Sequence, residues 1–255
     1  MNTTFQFVTI IIGFFSIMGL FLTYKREKER DINAKIMFNK GVLIVCVLII
    51  ILNVVDPLYC YFFPANAYNK KGLFSSRKAD YDKALTDFSK AIQINPNDVN
   101  AYYSRGSIWC ELGDNEKALA DLNKVIQINP NSVRAYLSRG SVWHKLGDND
   151  KALANYYKSI QLNQYLAEAY YNIGIIWQEK GYKDITLANY NKAIQLRPDF
   201  FEAYNNRGMI WYQKGDKEKA LSDLNKAIQI NPNFTIAYEN RELVLQQKGV
   251  KQVVN

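Results

Sequence analysis

The chain has 255 residues, 48% hydrophobic and 22% charged, with a formal net charge of +8, three cysteines and one histidine. No C-x-x-C occurs and His144 has no second imidazole to work with, so a disulfide framework and most zinc chemistry are excluded on ligand count. After residue 64 the basic and acidic residues interleave, which reads as a solvated surface rather than the concentrated basic face of a nucleic-acid binder.

Residues 1–24 hold a short uncharged tail and a first apolar stretch, FQFVTIIIGFFSIMGLFLTY over 5–24. At about 1.5 Å of rise per residue, such a helix matches a hydrocarbon core ~30 Å thick. The stretch lacks the basic leader of a signal peptide, and KREKER follows it directly. The segment 25–40 is a basic connector carrying Lys25, Arg26, Lys28, Arg30, Lys35 and Lys40. A second apolar stretch occupies 41–63, broken only by Asp56 and Pro57, with Tyr59 and Tyr61 suited to the interface. Two such runs predict a membrane hairpin and an integral membrane protein, in a bacterial inner membrane or an equivalent organelle membrane. Basic loops stay on the cytoplasmic side, so the six bases of the connector put the remainder of the chain on the far side.

Beyond residue 64 the sequence repeats with a step of thirty-four. Pro96, Pro130, Pro198 and Pro232 fall in register, with Gln164 in the vacant slot. Gly72, Gly106, Gly140, Gly174 and Gly208 recur in one place, preceded by Tyr68, Tyr102, Tyr136, Tyr170 and Tyr204. Trp109, Trp143, Trp177 and Trp211 follow, with Ser75 as the exception in the first unit. Further along each unit come Ala84, Ala118, Ala152 and Ala220, with Thr186 out of pattern, and then Phe88, Leu122, Tyr156, Tyr190 and Leu224. In the second unit, Ala101, Tyr102, Gly106, Ile108, Trp109 and Leu112 lie on one face of a helix over 99–112. Gly113-Asp114 ends that helix and caps the next, over 115–128, and Asn129-Pro130 stops it.

This order of residues resembles the tetratricopeptide repeat family, whose unit is a thirty-four-residue helix–turn–helix. The likeness covers five units, 65–98, 99–132, 133–166, 167–200 and 201–234, and a capping helix and tail over 235–255. The expected fold is all-α: a helical-repeat solenoid, or α-α superhelix, preceded by two transmembrane helices.

Two sets of residues stand out within the units. Arg105, Arg139, Arg207 and Arg241 precede the glycine or its equivalent, with Lys71 in the first unit. Asp87, Asp121 and Asp223 share one place in the second helices, where Asn155 and Asn189 substitute. Arginine–carboxylate pairing between helices accounts for that recurrence, because guanidinium binds carboxylate bidentately. The second set faces away from the Tyr/Gly/Trp seam: Asn69, Leu73, Tyr103, Ser107, Leu137, Ser141, Tyr171, Ile175, Asn205, Met209 and Tyr212. Resemblance to the family implies that this inner surface binds an extended peptide, and its mix of apolar and hydrogen-bonding groups suits one.

No nucleophile–base pairing, phosphate loop or distinctive carboxylate pair is present in the sequence, so no catalytic, cofactor or metal site is expected. The expected role is a membrane-anchored scaffold for a protein partner, in assembly or trafficking of a membrane complex. Similar architectures include factors that assist photosystem assembly in cyanobacteria and plastids. A non-catalytic regulatory subunit and a self-associating structural protein are the other readings.

Overall fold

The computed structural model describes residues 63–246, which form eleven helices and no strand. The apolar stretches 5–24 and 41–62 and the connector 25–40 lie outside the described residues, as does the tail after Gln246. Among the described residues no helix is long and apolar enough to cross a membrane.

The chain divides after Pro96 into two compact units. Among its described residues the first contains one helix pair, α1 (Pro64–Arg77) and α2 (Tyr81–Ile94), packed against each other. The second contains four further pairs and a lone helix. They are α3 (Val99–Leu112) with α4 (Asn115–Ile128), α5 (Val133–Lys145) with α6 (Asn149–Leu162), α7 (Ala167–Glu179) with α8 (Lys183–Leu196), α9 (Phe201–Gln213) with α10 (Lys217–Ile230), and α11 (Thr235–Gln246). Within this second unit each second helix also packs on the first helix of the following pair, so α4 meets α5, α6 meets α7, α8 meets α9 and α10 meets α11. A lone pair would leave one apolar stripe in water, and stacking covers it.

Close approach within a pair is set by the helical glycine. A Cβ on Gly140 or Gly174 would stand 2.6 Å from the ring of Tyr156 or Tyr190, and one on Gly72 2.8 Å from the ring of Phe88. Where the facing residue is Leu122 or Leu224, atoms nearer the backbone of the second helix border the glycine instead. A Cβ on Gly106 would then meet Asp121 Cβ at 3.2 Å, and one on Gly208 the Ala220 carbonyl at 3.1 Å. A side chain at Gly72, Gly140 or Gly174 would force the facing ring to move, and one at Gly106 or Gly208 would make a tight contact.

The turn between paired helices is equally constrained. Gly113, Gly147, Gly181 and Gly215 all have φ between 80° and 84°. Asp114, Asp148 and Asp216 follow and accept from the backbone N–H three residues on, capping α4, α6 and α10. The lysine at the same three residues' distance continues from cap to ring: Lys117, Lys151 and Lys219 lie 4.3, 4.2 and 4.4 Å from the centroids of Trp109, Trp143 and Trp211. The fourth unit departs from the pattern and finds another solution. Tyr182 replaces the aspartate and sets its ring edge-on to Trp177, 5.4 Å between centroids. Thr186 is fully buried there, its hydroxyl donating to the Tyr182 carbonyl at 2.9 Å.

In the first unit Ala79 takes the place of the turn glycine, at φ 57°. A side chain in the left-handed region costs ~1–2 kcal/mol, partly offset by the entropy that glycine loses on folding. Ala79→Gly should therefore stabilise the α1–α2 pair by about 0.5 kcal/mol, whereas Gly147→Ala, with no neighbour to accommodate, should cost about 1 kcal/mol. Hydrogen exchange of the amides flanking each turn would read both, with slower exchange in the first variant and faster in the second.

Candidate functional site

The arginines are consumed within the array. Arg105 binds Asp121 through two nitrogens, at 2.8 and 2.7 Å, and Arg207 binds Asp223 at the same distances. Where asparagine replaces the acid, Arg139 donates to Asn155 Oδ1 at 2.8 Å. The same guanidiniums reach back to the preceding pair: Arg139 to Asn123, Arg207 to Asn191 and Arg241 to Asn225, at 2.7, 2.6 and 3.2 Å. Each is also set against the tyrosine three residues before it, with centroid distances between 5.3 and 5.6 Å. The hydrogen bond it donates to Asp121 raises the pKa of Arg105, while burial without an acid lowers that of Arg139. The guanidiniums of Arg139 and Arg207 each thus fasten a first helix to two second helices.

Asp87 in the first unit is different. It is buried, and its Oδ2 has no hydrogen-bond partner. Lys71 stands at the arginine position, and its Nζ lies 5.4 Å from the Tyr68 ring centroid rather than on the carboxylate. The expected arginine–aspartate pairing therefore does not include Asp87. A short ammonium point charge cannot reproduce the planar fork.

The residues facing away from the seam are distributed as follows. Asn69 is half-buried and Leu73 exposed, both within the first unit. In the second unit Tyr103, Ser107, Leu137, Tyr171, Ile175, Met209 and Tyr212 are half-buried, and Ser141 is exposed. Each rests its base on the core while keeping part of its surface in solvent. Leu137 packs on the cluster around Tyr156, Ile175 on that of Leu187 and Tyr190, and Met209 and Tyr212 on that of Ala220 and Leu224. Tyr171 is wedged between Tyr190 and Phe200, with centroids 5.7 and 4.7 Å away. Asn205 is 4% exposed, and both ends of its amide are used: Nδ2 donates to Asn206 and Oδ1 accepts from Asn240. It lies beneath the face rather than on it.

A row of polar residues one position further along knits neighbouring first helices together. Ser138 Oγ lies 3.3 Å from Tyr103 Oη, Asn206 Nδ2 donates to Tyr171 Oη at 3.0 Å, and Asn240 Nδ2 donates to Asn205 Oδ1 at 2.8 Å. The span is thirty-five residues in every case, one more than the repeat. His144 and Glu179 obey the same offset, with His144 Nε2 3.0 Å from both carboxylate oxygens. The recurrence of Ser104, Ser138, Asn172, Asn206 and Asn240 in one register was visible as a signal for this row. The inner face of the second unit is accordingly a strip of partly exposed Tyr, Leu, Ile and Met, held at fixed spacing by side-chain bonds between helices. Among the described residues no cluster suits a metal ion.

Comparison with known proteins follows the same boundaries. Family profiles described as tetratricopeptide repeat match residues 133–165, 167–200 and 201–234, and one described as TPR repeat matches 78–109 and 106–147. No curated protein matches the chain. Among solved structures, the MamA protein is 26% identical with a TM-score of 0.57, the alignment covering 66% of this chain and 92% of that one. YrrB, described as a TPR protein with an unusual peptide-binding site, is 24% identical with a TM-score of 0.54, covering 70% and 92%. A thermophilic TPR protein of Thermus thermophilus is 21% identical with a TM-score of 0.59, covering 71% and 99%. The last two likenesses bear on the fold alone.

Replacing Lys71 by Arg should give Asp87 the bidentate partner that Asp121 has. The gain expected is about 1 kcal/mol. It is measurable as slower hydrogen exchange in α1 and α2, and an unchanged rate would show that the pairing geometry is not transferable.

The phenol of Tyr190, beneath Tyr171, is raised above its ordinary value by burial, with Tyr171 adding to the shift. A raised folded-state pKa means its contribution to stability is complete below about pH 10 and is lost as pH rises through the folded value. Tyr190→Phe, which also gives up the 2.6 Å bond to Gln178, should therefore lose less stability than the parent when a denaturation series is taken above that pH.

Proposed function

The chain belongs to the tetratricopeptide repeat family, and we propose that it is a non-catalytic, membrane-anchored scaffold whose inner face binds an extended segment of a protein partner. The observation that carries this reading is the strip from Tyr103 to Tyr212, where apolar side chains are pinned at the base yet left partly open. Binding an extended chain is favourable when the receiving groups are already ordered, because little side-chain entropy remains to be lost. The bonds from Ser138 to Tyr103 and from Asn206 to Tyr171 supply that ordering. The second helices also carry a polar row in each of the four later pairs. Lys124, Lys158, Lys192 and Lys226 each pair with the glutamine three residues on, a solvated pattern.

Anchoring rests on the two apolar stretches before residue 64, the first uncharged over 5–24 and the second running over 41–63 with Asp56 as its one charge, each long enough to cross a bilayer as a helix. The connector between them has six basic residues, against four over 64–80, which favours a cytoplasmic connector and repeats on the opposite side of an inner or organelle membrane. In this reading the anchor confines the binding strip to a membrane complex under assembly or in transit.

A photo-crosslinking residue introduced at Leu137 or Ile175 in the full chain, in its native membrane, should capture a defined protein, and the same residue at Ser222 on the outer face should not. Tyr171→Ala should reduce the yield at Ile175 by about tenfold or more, in line with loss of an interfacial aromatic, whereas Tyr171→Phe keeps the ring and most of the yield. Equal capture from Leu137 and Ser222 would remove the inner-face assignment. Protease digestion of sealed membranes reports the side on which the repeats lie.

A further inference from the structure

The exposed face of α1 differs from every corresponding face in the second unit. Val142, Ile176, Ile210 and Val244 occupy the tenth residue of their repeats, on α5, α7, α9 and α11. All are at most 3% exposed, with the preceding second helix packed on each of these helices. The residue in that register on α1 is Phe74, which is larger than any of them and 59% exposed. Ala67, two turns earlier, is already buried, so the open part of the face is the C-terminal half of α1. Arg77 and Lys78 follow Phe74 there, both exposed, and Lys78 Nζ stands 4.4 Å from the Phe74 ring centroid. Phe63, at the entry to α1, lies on the same side by helical phase and is 55% exposed.

The charge of the segment is as selective as its apolarity. From Phe63 to Ala79 the sequence has Lys70, Lys71, Arg77 and Lys78 and no acidic residue; the matching stretch of the third repeat, 131–147, also lacks an acid but has three bases, of which Arg139 is spent on Asn123 and Asn155. Immediately before Phe63 runs the second apolar stretch, which the anchoring reading places in the bilayer. An aromatic beside basic side chains, within a few turns of a membrane span, has the chemistry of the lipid–water interface, where rings enter the headgroup layer and ammonium and guanidinium groups meet phosphate.

We propose that the C-terminal half of α1 docks on an anionic bilayer surface through Phe74, Arg77 and Lys78, so that the membrane covers the face that a preceding helix covers elsewhere. This rests on the anchoring reading, and it fixes which side of the first helix pair is turned toward the lipid. Other occupants, a second copy of the chain or another protein, would not require four bases and no acid.

The test uses the full chain reconstituted in vesicles, with Cys46, Cys60 and Cys110 replaced by Ser and a fluorophore attached at Phe74→Cys or, as control, Ser222→Cys. In vesicles containing phosphatidylglycerol, the label at position 74 should be quenched by nitroxide lipids and shielded from aqueous iodide, and the label at 222 should show the reverse. Pure phosphatidylcholine vesicles, or R77E with K78E in the anionic ones, should weaken the contact by roughly fivefold for each basic interaction lost. A label at 74 as open to iodide as the one at 222 in both compositions overturns the docking, and so does a label shielded from iodide and nitroxide lipid alike, which means a protein covers the face. A chain that fails to float with the vesicles overturns the anchoring reading itself. Flotation with an iodide-exposed label at 74 overturns the docking alone.

Discussion

A glycine in the first helix of each pair faces a large side chain in the second, and the pairs depend on that contact. With Tyr156 or Tyr190 opposite, the ring occupies the space a Cβ would need; with Leu122 or Leu224, the base of an aspartate and a backbone carbonyl lie beside that space instead. Different residues thus fill the same seam, and successive pairs stack by the same rule. Everything exterior to that seam inherits its position from it. The arginine column is placed where it can grip two second helices, and the inner strip is placed where the seam is not.

Much of this was readable in advance because the constraint is local. The helix limits of the second unit follow from apolar spacing, a turn glycine and a following proline, and α3 and α4 begin and end where those signals put them. Gly106 sits where the second helix passes, with Asp121 Cβ 3.2 Å and the Ala118 carbonyl 3.6 Å from where its Cβ would be. Thr186 looked like a weak point, yet its hydroxyl bonds the Tyr182 carbonyl and costs the core nothing polar.

What was not readable depends on neighbours thirty-five residues away. Asn205 shares a helical phase with Tyr103 and Tyr171, so phase alone put it on the open face. Its burial comes from Asn206 and Asn240, one on its own helix and one on the next. Asp87 failed for a related reason. Its aspartate register is intact, but the partner register holds Lys71, whose single charged tip settles near a tyrosine ring. A pattern of residue types predicts a pairing only when both registers keep a side chain of the right shape.

In the same registers the first and last described helices differ from the rest. On α11, Ala237 and Val244 are buried against α10 like their counterparts, but Tyr238 and Leu245 on the other side are 38% and 47% exposed. Glu242 stands in the glycine register there and is exposed, which is tolerable because among the described residues no second helix approaches it. A glycine is needed only where another helix must come near, and its replacement by a charged residue marks the place where pairing stops. Phe74 is the converse case at the other end. A large aromatic has been kept in a register that elsewhere is filled by Val or Ile and hidden by protein. Polar substitution would have solved exposure to water, as Glu242 does. Retaining an aromatic amid bases instead suits contact with a medium that is neither water nor a packed helix.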